Sequence, residues 1–327
     1  MENKEQNTKI LFSKFLTGFK KGTNVHECLC PRKIECSDRI IKAHSIQNNR
    51  ILKKISEKGK VIQIKFEDAI FTKDCSQVGR KTATTFSGFC NFHDSSIFRS
   101  IEIKDYLPRD KEQEFLFAYR ALARELNIKK TAAKIYQKGI SIFGAHSYFS
   151  GLLEWTKFSI KELTKLNYFF HQGLLNKDFG KIQTKLIVLD KEYSIAVSSI
   201  FAIEYDFHGN KINDLGDKKQ RLKNLFLTIF PQNGKTYILL SHLTEDSLTY
   251  NFLEEQLLSL EQIEIIKRIN LLIANYCENF VLSPTKWRGL PKEEKEKFIE
   301  MFMNSTDLTR LKTPDNLRQE PKFNLFI

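Results

Sequence analysis

The sequence contains no run of about 18 apolar residues, the length a membrane-spanning helix needs, which excludes a helical bilayer span. Its richest apolar stretch, residues 195–203, is broken by Ser198 and Ser199 and reads as a buried strand. Residues 1–9 are polar and charged and no apolar stretch follows them, which predicts no signal peptide and a cytoplasmic chain. Six cysteines among 327 residues are too few for a disulfide scaffold. Also missing are a phosphate-binding glycine loop, a Gly-x-Ser-x-Gly elbow and a pair of histidines at helical metal spacing. P-loop, serine-hydrolase and helical zinc-protease chemistry therefore have no signature here. No internal repeat or low-complexity tract points to a solenoid or a long linker.

What the chain does have is material for a core, with 41% hydrophobic and 12% aromatic residues. It also has 52 Lys and Arg against 39 Asp and Glu, a formal charge of +13. That surplus is uneven. Residues 1–110 carry 21 basic and 13 acidic side chains, residues 111–180 carry 11 and 6, and residues 181–327 carry 20 of each. An even spread would suit solubility alone, whereas a surplus confined to the first 180 residues points to nucleic acid, DNA or RNA, or to another polyanion.

Charge and cysteine density together divide the chain into a basic module over 1–108, a basic helical segment over 109–180 and a neutral α+β domain over 181–327 with C-terminal helices. Phe115, Leu116, Tyr119, Leu122, Ala123 and Leu126 have helical spacing over residues 112–127, and residues 129–138 read as a second helix. Ser159-x-x-Glu162 has the form of a capping box opening a helix that runs to about Leu175. Residues 185–189 and 193–207 are β-branched and aromatic, and residues 225–230 and 236–240 flank Asn233-Gly234, a hairpin signal. Helical periodicity resumes over 253–280, with Ser259-x-x-Gln262 as a second cap, and Pro291 starts a helix over 292–303. The tail after Thr309 is polar and reads as poorly ordered. Asp206, His208, Asp214 and Asp217 read as turn residues, and the scattered His146, His171, His208 and His242 as structural or exposed.

Candidate metal ligands crowd the first module: His26, Cys28, Cys30, Cys36, His44, Cys90 and His93. A tetrahedral zinc site takes four such ligands from two short clips of chain. Cys30-x5-Cys36, in a turn with Pro31, and Cys90-x2-His93, ahead of a helix, supply them; Cys28 and His26 compete with Cys30. Gly88 would provide a turn before the second clip. A knuckle, a strand and a helix donating two ligands in its first turn is treble-clef, ββα-type geometry, and structural Zn2+ would staple a module with few large apolar clusters.

Between the clips, Ala43-His44-Ser45-Ile46-Gln47 resembles the strand end of the HNH, or His-Me finger, nucleases, and Gly88-Phe89-Cys90-Asn91-Phe92-His93-Asp94 resembles their second knuckle and helix. The resemblance covers residues 26–105. It implies a metal-dependent endonuclease in which His44 is the general base and Asp94, with Asn91 as a weaker candidate, holds a catalytic Mg2+ or Mn2+. Ala43 stands where the family often has an acidic ligand, and Gln47 where it often has proline. Phe98 and Glu102 read as a packing residue and a solvated charge. Lys42, Arg50, Lys53, Lys54, Arg80 and Lys81 flank the site and suit phosphate contacts, with Lys129, Lys130, Lys134 and Lys138 extending the surface. By analogy, such an architecture suits a prokaryotic defence effector whose residues 181–327 act in sensing or dimerisation. The alternative is a non-catalytic zinc finger that binds nucleic acid or a partner protein.

Overall fold

The computed structural model describes residues 17–37, 39–64, 74–146, 148–306 and 312–327. In chain order its main elements are β1 (Ile40–His44), β2 (Lys60–Gln63), β3 (Ser76–Gly79), β4 (Thr85–Cys90), α1 (Asn91–Ile97), α2 (Arg99–Ile103), α3 (Lys111–Phe143) and α4 (Tyr148–Asn176). They continue as β5 (Ile182–Leu189), β6 (Ile195–Phe201), β7 (Leu225–Gln232), β8 (Lys235–Leu243), α5 (Gln262–Tyr276), β9 (Phe280–Leu282), α6 (Lys292–Thr306) and α7 (Asp315–Arg318). Helices and antiparallel strands in this mixture make an α+β fold.

Strands β1 and β4 form a two-stranded antiparallel sheet of their own, with a bulge between Ile41 and Ala43. The other seven form one antiparallel sheet in the order β3-β2-β9-β6-β7-β8-β5. Asn233 and Gly234 take φ of 52° and 79°, the left-handed pair that a tight hairpin between β7 and β8 requires. Side chains alternate across this sheet with the period of two that strands impose. Ile195, Val197, Leu225, Leu227, Ile229, Ile238 and Leu240 face α5, α6 and the C-terminal segment. Ile200, Phe226 and Leu243 face α3, α4 and the β1–β4 unit, while Ala196, Phe230 and Leu239 meet Tyr106 and the helical turn Asn48–Leu52. Burial on both faces explains why the strands read as apolar runs.

Several boundaries differ from expectation, each for a local reason. β2 and β3, drawn from the first segment, pair into the sheet of the third through Ile62 and Leu282, so the sheet crosses the boundaries at 108 and 180. The two helices expected over 112–138 are one continuous helix, because no breaker interrupts them; Asp110 caps it by accepting from the Gln113 amide at 3.1 Å. Ser159 and Glu162 lie inside α4 rather than at its start. The Ser159 hydroxyl bonds back to the Trp155 carbonyl at 3.1 Å and Glu162 pairs with Lys165 at 2.6 Å. The helix expected over 253–280 is interrupted at residues 259–261, and Phe280 belongs to β9. The tail also differs. From residue 312 it packs into the core through Leu317, Phe323, Leu325 and Phe326, and the Leu325 amide donates to Asn270 Oδ1 at 2.9 Å. Residues 1–9 and Thr309 lie outside the described residues.

Candidate functional site

The segment around Cys28 lies alongside β4, with the Glu27 amide on the Ser87 carbonyl and the Leu29 amide on the Gly88 carbonyl at 3.2 and 2.8 Å. The turn after Pro31 then brings Cys36 to the end of the same strand. There Cys90 closes β4, and the chain passes directly into α1, which carries His93 in its first turn. The Sγ atoms of Cys28, Cys36 and Cys90 stand 3.4, 3.5 and 3.2 Å from His93 Nδ1. All four donor atoms lie within 4.8 Å of one another, and together they could hold a metal ion. His93 Nε2 faces Glu35 at 3.8 Å, the kind of outer partner that orients a ligating imidazole. Burial, with the Cys28 and Cys90 thiols, pushes Cys36 up to about 12. At Cys90 burial also raises the thiol, but hydrogen bonds from the His93 backbone and Ser37 bring it down to about 6. One thiolate therefore forms readily, while a second is resisted until a cation offsets the repulsion.

This set replaces Cys30 by Cys28. Cys30 Sγ turns back into its own loop and accepts the Arg32 amide at 3.4 Å, and burial raises its thiol to about 11. His26 is exposed and takes no part. Gly88 is not a turn residue but lies within β4, where a Cβ would come within 2.4 Å of the Phe86 ring; glycine is there for close approach.

Beside the thiol cluster is a second constellation. His44 ends β1, half-buried, and its Nε2–H donates to the Arg80 carbonyl at 3.2 Å. A carbonyl only accepts, so this bond fixes the proton on Nε2 and leaves the lone pair on Nδ1. Burial lowers the His44 pKa below 6.5, so the ring is neutral at neutral pH. The loop holding it is fixed in turn. Arg80 Nη1 donates to the Asn48 carbonyl and Oδ1 at 3.2 and 2.7 Å, and the Ser45 amide and hydroxyl both reach the Thr84 carbonyl. Asp94 on α1 and Glu102 on α2 lie within electrostatic reach of His44. Between them enters Arg120 from α3, its side chain 3% exposed, paired with Glu102 and 3.8 Å from Asp94 Oδ1. Its guanidinium carbon lies 4.1 Å from the Phe98 ring centre. Glu102 is therefore an ion-pair partner rather than a solvated charge, and Phe98 is buried as expected.

No family model, curated protein or solved structure matches the chain. The site is thus defined by its own geometry. Of the basic residues named from the sequence, Arg50 pairs with Asp105, Lys54 with Glu192, and Arg80 braces the His44 loop. Lys42, Lys53 and Lys81 are exposed. Lys130 pairs with Glu27 at 2.6 Å and Lys129 with Glu125 at 3.3 Å. Sequence reasoning missed Arg120 altogether. It sits in an apolar helical stretch, Tyr119-Arg120-Ala121-Leu122, where an arginine needs a buried anion, and that mismatch was the available signal.

Proposed function

We propose that residues 26–105 are a zinc-stapled nuclease module of the His-Me finger type that hydrolyses a phosphodiester of nucleic acid. Zinc is the metal that three thiolates and one imidazole favour, since it takes soft and borderline ligands in a closed tetrahedron. The observation that carries the reading is the tautomer of His44, with Nε2–H tied to the Arg80 carbonyl and a neutral ring whose Nδ1 lone pair is available to take a proton from water. Asp94 and Glu102, on the two helices that follow the strand pair, are the carboxylates that would hold Mg2+ or Mn2+. Such an ion supplies charge stabilisation at the scissile phosphate when bound. Lys42, Lys53 and Lys81 would contact the phosphate backbone without reading sequence.

The test compares the protein with His44→Ala on plasmid DNA and on RNA, each with Mg2+ and Mn2+. The substitution should lower cleavage by at least about 100-fold, the usual contribution of a positioned base, while metal content stays unchanged. Cleavage unaffected by the substitution, or absent with both ions, overturns the nuclease reading.

A second reading is favoured by Arg120. Its guanidinium already neutralises Glu102 and approaches Asp94, and Ala43 offers no ligand in their place. A finger of that kind would bind nucleic acid or a protein without cutting. No cleavage together with salt-dependent nucleic-acid binding that survives His44→Ala is the outcome this reading expects.

A further inference from the structure

A half-open cavity of about 470 Å³ lies between α4, the loop after β6, the end of α5 and the end of α6. Its size falls within the range of small-molecule sites. Trp155, Phe158 and Tyr276 give it aromatic walls, and the buried Glu204 and the half-buried Lys312 are charged groups that face it. Glu204 Oε2 accepts the Tyr276 hydroxyl at 3.0 Å, and burial raises its carboxyl above the usual range. Lys312 Nζ donates to the carbonyls of Asn275 and Ser305 at 3.0 and 3.3 Å; burial lowers it to about 8, an effect that Glu204 partly offsets. The carboxylate keeps acceptor capacity beyond the tyrosine bond, and the ammonium has a third N–H beyond the two carbonyls. Both are partly desolvated, and Lys312 Nζ also stands 5.1 Å from the ring centre of Tyr276. Lys218 Nζ stands 4.8 Å from the ring centre of the half-exposed Trp155, which lines the cavity.

We propose that this cavity binds a guanine nucleotide, with the base against the aromatic walls and the phosphate at the mouth. Guanine sets two N–H donors, on N1 and on its amino group, beside a carbonyl acceptor. A carboxylate takes the donors while an ammonium gives to the carbonyl, which is the pair of groups that Glu204 and Lys312 present. Adenine places an amino donor where guanine has its carbonyl, so it would meet the ammonium donor to donor and offer the carboxylate no N1–H. Outside, the phosphate meets Lys218, an exposed cation beside the stacking ring. This site shares no residue with the His44 constellation and does not depend on the nuclease reading.

Calorimetric titration of the full chain with GMP and with AMP tests it. GMP should bind with a Kd below about 1 mM and at least about tenfold more tightly than AMP. A site that must hydrogen-bond its ligand rejects the analogue that leaves buried groups unpaired. Glu204→Gln, which keeps the shape but loses the negative acceptor, should weaken GMP by at least about tenfold. Trp155→Ala, at a half-exposed position that folding tolerates, should weaken it as well, and His44→Ala should leave it unchanged. Absence of GMP binding below about 1 mM, equal binding of AMP, or GMP binding indifferent to both Glu204→Gln and Trp155→Ala overturns the proposal.

Discussion

The two sheets of this protein are held together by different means. In the seven-stranded sheet, large apolar side chains alternate to both faces, and rings meet directly across the core, as where Phe280 lies 5.6 Å from Phe298. Such a sheet needs nothing beyond burial. The β1–β4 unit has a short strand pair with few large apolar residues of its own. It borrows Tyr119 from α3, whose ring packs 5.9 Å from Phe89 and 5.8 Å from Phe98 and whose hydroxyl donates to the Leu29 carbonyl at 3.0 Å. It also gathers three thiols and an imidazole where a larger unit would place leucines. The chemistry-bearing residues, His44, Asp94, Glu102 and Arg120, cluster beside this unit, with Arg120 against the fully buried ring of Phe98. Their matching is incomplete: Arg120 pairs with Glu102, while Asp94 Oδ1 and Arg120 Nε and Nη2 are buried without a hydrogen bond, which leaves polar capacity for a ligand.

The sharpest way to break this comparison is to remove a ligand. Cys90 is both a member of the cluster and the residue that precedes α1, so Cys90→Ser should abolish stoichiometric metal and destabilise the β1–β4 unit by more than about 4 kcal/mol, as losses of structural metal do. Metal analysis and urea unfolding followed at separate probes would read this, with the larger sheet retaining its far-ultraviolet signal. Cys28→Ser should do the same and Cys30→Ser should not. Full metal retention in Cys28→Ser together with loss in Cys30→Ser would reverse the ligand assignment.

Next in size is the converse experiment on the sheet. Phe280 is fully buried against Phe298 and Phe302, and Phe280→Ala should cost about 3–5 kcal/mol, the usual range for emptying an aromatic site. Metal content should stay at the level of the parent protein. Loss of metal in this variant would mean that the two sheets are one cooperative unit and that the contrast between them is only compositional.

What could be read from the sequence follows the same division. The hairpin at Asn233-Gly234 was legible because only residues tolerant of positive φ fit its two central positions. The strands β5 to β8 were legible from β-branched and aromatic runs, and Cys36, Cys90 and His93 from their spacing. The choice between Cys28 and Cys30 was not, since it depends on how the chain turns at Pro31 and on the Arg32 amide that claims Cys30. The α4 start was misread because Ser-x-x-Glu forms a cap only where a helix begins, and tertiary packing carries α4 back to Tyr148. The C-terminal tail was misread because its apolar residues, Leu317, Phe323, Leu325 and Phe326, follow no simple period and find their partners on α5 and α6. The joining of β2 to β9 is a contact between distant parts of the chain, and no local pattern encodes it.

The smallest expected effect separates the two regions by pH. His242 on β8 is fully buried, stacked on Tyr250 with ring centres 5.0 Å apart, and its Nδ1–H donates to the Leu243 carbonyl at 2.9 Å. Burial lowers its pKa below 6.5, with Lys185 acting in the same direction and the Leu243 carbonyl and Asp246 opposing. A histidine neutral when folded and free to protonate when unfolded makes the unfolded chain the stronger proton binder, so stability rises with pH across that window. It is therefore lost as pH falls below 6.5 toward the lowered folded value, by at most about 1.4 kcal/mol per pH unit for one such group. His242→Gln should flatten that slope by a part of this amount in urea midpoints measured between neutral and mildly acid pH. Because His242 belongs to the sheet and touches none of the thiol ligands, the flattening should be the same with and without chelator. A slope that the substitution leaves unchanged would show that His242 takes up its proton in the folded state, and a slope that changes only when metal is bound would tie this histidine to the other half of the molecule.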